Sequence, residues 1–239
     1  MTVVHFSTEL SGGAGSLVRC IHVTMQDMGI SSLVITRELN DLDGTITIKP
    51  ITRISASMRA RWNTVLGKLG YIKDSYAMFG IEKSPVNLAD IHRALGKEKP
   101  SAFIFYWISY FVNFETICDL RRLYPTVPVV FIPLDEALLT GGCHYSTGCS
   151  GYQKICNNCP GTSMNYLKKK IERGYIQKRD LVLNIDPFVI YPATNIQLMG
   201  QRSTALKDAR STIIHLGALS KRELFLAKRT SYQDTEDER

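Results

Sequence analysis

The chain has 239 residues, 44% hydrophobic and 21% charged, which is the balance of a soluble globular protein with a sizeable core. No apolar run approaches the roughly 20 residues that a membrane-crossing helix needs, and the opening MTVVHFSTELSGGAGS lacks the basic-then-apolar order of a secretion signal. The formal net charge of +7 suits anionic partners such as nucleic acid, acidic lipid surfaces or nucleotide sugars.

Residues 2–6, TVVHF, read as a short buried strand, followed by the glycine-rich run SGGAGS. Ala14, Leu17, Val18, Ile21, Met25 and Met28 then recur at helical spacing until Gly29. Residues 31–36 read as a second strand, completing a strand, glycine-rich turn, helix, strand unit. Residues 45–51 add a further strand. From Ile54 to Leu69 the pattern is amphipathic and basic, suited to packing on a sheet or, as the lesser reading, to lying on a membrane surface. A short helix is expected over 86–95.

Residues 102–108, AFIFYWI, are continuously apolar, as a central parallel strand should be. A helix follows at 112–123, then a second apolar strand at 127–133. Beyond it come the cysteine-rich loop from Pro133 to Pro160 and a basic helix near 162–173. Strand-like runs follow at 181–185, 187–191 and 212–216, before a charged end, 216–239, read as linker or tail. Alternating strands and helices predict an α/β fold, a doubly wound, mostly parallel Rossmann-like sheet spanning residues 1–215. Ligands of such sheets bind beyond the carboxyl ends of the strands, where SGGAGS and the cysteine-rich loop both fall.

The glycine run presents backbone N–H groups at a helix start, fitted to a phosphate or to close approach of a sugar, or simply to a tight turn with Ser11 near the cap. It is neither a GxGxxG nor a Walker pattern. Asp135, just past a strand, is placed to bind sugar hydroxyls or to cap the next turn. Cys143, Cys149, Cys156 and Cys159 are spaced C-x5-C-x6-C-x2-C, with one tight knuckle followed by proline. A cytoplasmic placement, with thiols reduced, favours metal over disulfides. Structural zinc is the leading expectation, with an iron–sulfur cluster, disulfides or free thiols as alternatives. His144 adjoins Cys143 and could replace one sulfur. Cys20 and Cys118 sit in expected helices, and His5 and His215 in apolar strand runs, as core residues. Lys168, Lys169, Lys170, Arg173, Lys178 and Arg179 form the densest basic stretch, read as a solvated helix face, while the cysteine loop itself carries only Lys154.

Together, the glycine loop, Asp135, Thr140-Gly141-Gly142-Cys143-His144-Tyr145, Gly148-Cys149, Tyr152, Cys156 and Cys159-Pro160 resemble the N-terminal half of bacterial GT-B glycosyltransferases. The resemblance is to the retaining family-four enzymes that build exopolysaccharide and colanic-acid-like polymers, and it runs from residue 1 to about residue 215. It implies transfer of a sugar from a nucleotide-sugar donor to a growing, lipid-linked glycan, at the cytoplasmic side and with peripheral contact to the inner face of the plasma membrane. It implies that Gly12 and Gly13 approach donor phosphates or acceptor and that Asp135 lines the cleft. Leu134 and Ala137 stand where that family usually has histidine and tryptophan. The second GT-B domain and its paired-glutamate donor motif are expected to be absent, so the chain alone is expected not to catalyse transfer without a C-terminal donor domain or subunit. The competing reading is a non-catalytic, metal-stapled domain that binds glycan or protein. A zinc-containing nucleic-acid binder rests only on the basic balance and the cysteines, and no nucleic-acid-binding signature supports it.

Overall fold

The computed structural model describes residues 1–48, 65, 67–71 and 86–214. Among the described residues the elements run β1 (Thr2–Ser7), α1 (Gly12–Asp27), β2 (Ser32–Thr36), β3 (Thr45–Thr47), α2 (Leu88–Leu95), β4 (Pro100–Phe105), α3 (Phe114–Leu123), β5 (Val129–Phe131), α4 (Asn165–Ile185), β6 (Phe188–Tyr191), α5 (Thr194–Arg202) and β7 (Arg210–Ile213). The strands form one sheet in the order β3-β2-β1-β4-β5-β6-β7, and every neighbouring pair is parallel. This is an α/β, Rossmann-like sheet. Its order reverses between β1 and β4, and that crevice is where such sheets hold ligands.

Residues alternate between the sheet's two faces and build two cores. Val4, Phe6, Leu33, Ile35, Phe103 and Phe105 pack on one face against Ile91 and Leu95 of α2, Ile117 and Leu120 of α3, and Val182 and Ile185 of α4. Val34 and Ile104 point the other way, toward Leu10 in the loop before α1 and Val18 within α1. His5 shares that second face and is fully buried. Its Nδ1 lies 3.0 Å from Tyr106 Oη, and its ring meets His22 edge-on at 6.3 Å. A third, small cluster of Tyr152, Cys156, Cys159, Ile171, Tyr175 and Ala205 lies under the cysteine loop.

Two parts of the chain differ from expectation. The run 181–185, expected as a strand, is the last turn of α4. Its apolar residues continue a helical stripe in which Ile171, Tyr175, Lys178, Val182 and Ile185 are buried at spacings of three and four. A short apolar run cannot be told from a buried helix segment by periodicity alone. Lys178, expected on a solvated helix face, is buried and only 4% exposed. Helix α5 carried no expectation. The segment 54–69, apart from residues 65 and 67–69, lies outside the described residues, as do His215 and the tail 216–239. Among the described residues no helix is long and apolar enough to cross a membrane.

Candidate functional site: a cleft at the sheet's switch point beside a cavity lined by sulfur

The turn after β1 brings α1 hard against the preceding loop. A Cβ placed on Gly15 would lie 2.2 Å from the carbonyl carbon of Leu10, so only glycine permits this approach. Ser11 stands at the N-cap of α1 without a side-chain cap bond. The Glu38 carboxylate, just past β2, instead accepts the N–H groups of Leu10 at 2.6 Å and Ser11 at 3.1 Å. Gly12 adopts φ +68°, the left-handed region that glycine enters without steric cost. Gly13 does not, and a Cβ on either glycine would meet no atom within 4 Å. Packing therefore does not explain Gly13.

A cleft of about 490 Å³ opens in front of this loop, within the usual size of small-molecule sites. Glu9, Ser11, Gly12, Gly13, Ala14 and Leu17 line it from the β1 side, Trp107 from beyond β4, and Leu134, Asp135, His144 and Tyr145 from beyond β5. The structure thus brings Gly12, Gly13 and Asp135 together. Asp135 uses its two oxygens differently. Oδ1 accepts the Ala137 N–H at 2.9 Å, capping the turn, while Oδ2 contacts His144 Nδ1. A carboxylate accepts, so in the neutral imidazole the proton sits on Nδ1 and the lone pair on Nε2. The His144 ring lies 6.0 Å from that of Trp107, and Tyr145 is 66% exposed at the rim. His144 lines this cleft and not the sulfur cavity, where sequence had offered it as a substitute ligand.

Sequence reasoning singled out neither Trp107 nor Glu38. Trp107 lies two residues past β4 and Glu38 two residues past β2, so both stand at the carboxyl edge where ligands of parallel sheets bind. That positional rule could have found them.

The four clustered cysteines line a separate cavity of about 20 Å³ together with Thr140, Ser146, Tyr152, Asn157 and Ile171. All six cysteines of the chain are free thiols. Backbone N–H groups point at two of the sulfurs: Gly141 donates to Cys156 Sγ at 3.1 Å and Gly151 to Cys149 Sγ at 3.4 Å. Cys143 shares a hydrogen bond with Cys159, which holds the Cys159 thiol below its ordinary range and Cys143 above it. The Gly161 N–H and Lys168 add to the fall at Cys159. Burial pushes the Cys156 thiol up to about 11, against the Gly141 N–H and the charge of Lys178. Among the described residues, no three or more histidine, cysteine, aspartate or glutamate side chains are drawn together tightly enough to hold a metal ion as the chain stands. Cys118, buried in α3, donates to the Leu181 carbonyl, and Cys20 is half-buried in α1.

Lys178 lies between the two sites. Its ammonium donates to the carbonyls of Ala137 at 2.7 Å and Thr140 at 2.6 Å and sits 5.7 Å from the Phe114 ring centre. Burial lowers its pKa to about 8, opposed by the charges of Cys156, Cys143 and Asp135. Thr140 ties the sites together. Its Oγ1 accepts the N–H groups of Gly142 and Cys143 at 3.1 and 2.8 Å and donates to the Cys143 carbonyl at 3.0 Å. His144 is the next residue.

No family model matches the chain, and no solved structure matches it. It is 23% identical over 185 residues, 73% of its own length, to WcaC of Escherichia coli strain K12, a protein named as a colanic acid biosynthesis glycosyl transferase. The matched region spans 43% of that relative.

Proposed function

We propose that this chain is the acceptor-side domain of a GT-B glycosyltransferase of the retaining family-four type. It would act in moving a sugar from a nucleotide-sugar donor to a growing, lipid-linked polysaccharide at the cytoplasmic face of the membrane. The observation that carries this reading is the meeting of Gly12, Gly13, Trp107, Asp135 and His144 in one cleft at the switch point of a parallel sheet. The likeness to a protein named as a glycosyl transferase supports it.

The chemistry of the cleft favours a neutral, hydroxylated ring over a phosphate. Glu9 and Asp135 line it, and no lysine or arginine is among its described lining residues. Glu38 already holds the Leu10 and Ser11 N–H groups, so a negative charge backs the loop where a phosphate would need positive potential. Trp107 and Tyr145 offer apolar ring faces for a sugar to lie against. Gly13, whose lack of a side chain packing does not explain, leaves the backbone open to such a ring. Asp135 orients His144, and the two receive acceptor hydroxyls. In the transfer, the acceptor oxygen bonds to the anomeric carbon of the donor sugar. The bond from that carbon to the phosphate breaks, its electron pair leaves with the nucleoside diphosphate, and the hydroxyl proton passes to that phosphate. The donor contacts belong, in this reading, to a second domain.

A non-catalytic glycan-binding domain is the second reading. It is favoured by Leu134, which lines the cleft where the resembled family carries histidine. Transfer of labelled sugar to a lipid-linked acceptor, measured with a separately supplied donor domain, tests the first reading. Transfer that falls at least tenfold in Asp135→Asn and Trp107→Ala supports it. Glycan binding without transfer supports the second reading, and neither binding nor transfer overturns both.

A further inference from the structure

We propose that Cys143, Cys149, Cys156 and Cys159 form a closed tetrathiolate zinc site, with Lys178 as its buried counter-charge. This does not depend on the sugar-transfer reading. The four sulfurs line one cavity. Its volume of about 20 Å³ accepts a single ion-sized occupant.

The surroundings are arranged for negative charge on sulfur. Gly141 and Gly151 aim N–H groups at Cys156 and Cys149, and hydrogen bonds to a charged acceptor favour its charged form. Lys178 is the stronger indication. An ammonium buried this deeply is costly unless an opposite charge lies close. Among the described residues no carboxylate stands within ion-pair distance of it; its ammonium donates to the carbonyls of Ala137 and Thr140, and Asp135 acts on it only from farther off. A zinc ion with four thiolates carries a net charge of about −2, which adds to the pull of Asp135 the negative charge that a buried ammonium needs. Lys168, bonded to Asn158 at 3.0 Å, adds a second cation at the knuckle.

The backbone agrees. Thr147, Cys156 and Asn158 hold left-handed φ angles of 47°, 50° and 49°. Each such non-glycine residue costs on the order of 1 kcal/mol, which a bound ion offsets. Loading draws the four sulfurs inward onto the ion, and each thiol protonated beforehand releases its proton to solvent. The site is closed, hence structural: through Thr140 and the Cys143–His144 peptide it fixes His144 at the rim of the neighbouring cleft.

The test begins with the full chain purified under reductant without added metal. Elemental analysis should give about one zinc per chain, and denaturation with chelator should free all six thiols. Replacement by cobalt(II) should give thiolate charge transfer and tetrahedral bands. These should be lost in Cys143→Ser and Cys156→Ser but kept in Cys20→Ser and Cys118→Ser. Lys178→Met should keep the cobalt spectrum while weakening zinc affinity, by chelator competition, on the order of tenfold or more. Unchanged affinity would remove Lys178 from the site. Should that variant not fold, the stoichiometry and serine series still decide the metal. Absence of metal with no cobalt spectrum, thiols lost to disulfides, or iron with inorganic sulfide would each overturn the proposal.

Discussion

The cleft and the sulfur cavity lie side by side beyond the same sheet, yet they are built in opposite ways. The cleft takes its residues from three strand ends, so the sheet itself supplies its geometry. The cavity takes its sulfurs from one loop, which has only a small core of its own. A site on strand ends inherits rigidity from the fold. A site on a loop needs an added constraint, and we assign that role to a metal. The two meet at Thr140 and Lys178, so the loop's constraint also fixes one wall of the cleft.

Removing the metal is the sharpest way to separate the regions. Zinc binding is worth on the order of 10 kcal/mol in small zinc peptides. Cys156→Ser or chelation should therefore unfold the loop, read as faster hydrogen exchange and proteolysis over residues 143–159, while the sheet keeps its far-ultraviolet dichroism. Collapse of the whole domain would show that the two regions are not separable. Gly15→Ala breaks the other side. A Cβ 2.2 Å from the Leu10 backbone cannot be accommodated by a side-chain shift. A loss of about 3 kcal/mol in thermal or denaturant unfolding is expected, together with loss of cleft binding but not of zinc.

Acid should act on the sheet region through His5, whose burial and proximity to His22 lower its pKa to about 4 from 6.5. The folded-state pKa lies below the unfolded one, so the unfolded chain binds more protons as pH falls. The associated stability is fully present above pH 6.5 and is lost as pH falls through about 4. It amounts to about 3 kcal/mol. His5→Gln should flatten that part of the stability–pH curve, and an unchanged slope would place the acid sensitivity elsewhere.

Much of the parallel sheet was legible because its inner strands, such as β2, β4 and β5, are largely buried and read as apolar runs. The carboxyl-edge rule then placed Gly12, Gly13 and Asp135 on one side of the molecule. What could not be read was side-chain partnership across long stretches of chain. His144 is drawn to Asp135 rather than to its neighbour Cys143, and Lys178 turns inward from a basic helix because the helical stripe carries it there. The run 181–185 misled because five apolar-rich residues fit strand and buried helix equally.

Smaller changes refine the account of the cleft. Asp135→Asn keeps the shape of the side chain but weakens its hold on His144. Glycan affinity should fall about tenfold, or about 1.4 kcal/mol, with zinc content unchanged. Gly13→Ala should separate binding from stability, because neither φ nor packing demands glycine there. The protein should gain about 0.5 kcal/mol in unfolding free energy while binding weakens. A stability loss would mean that Gly13 serves the turn and not a ligand.

The most direct test of the central claim, that the switch-point cleft holds a neutral sugar, is a fluorescence titration. The chain has two tryptophans, so Trp62→Phe leaves Trp107 as the sole reporter. Oligosaccharide should give a saturable change in Trp107 emission, weakened by Asp135→Asn and not competed by nucleoside diphosphate. Saturation by nucleoside diphosphate with no response to any oligosaccharide would contradict that claim.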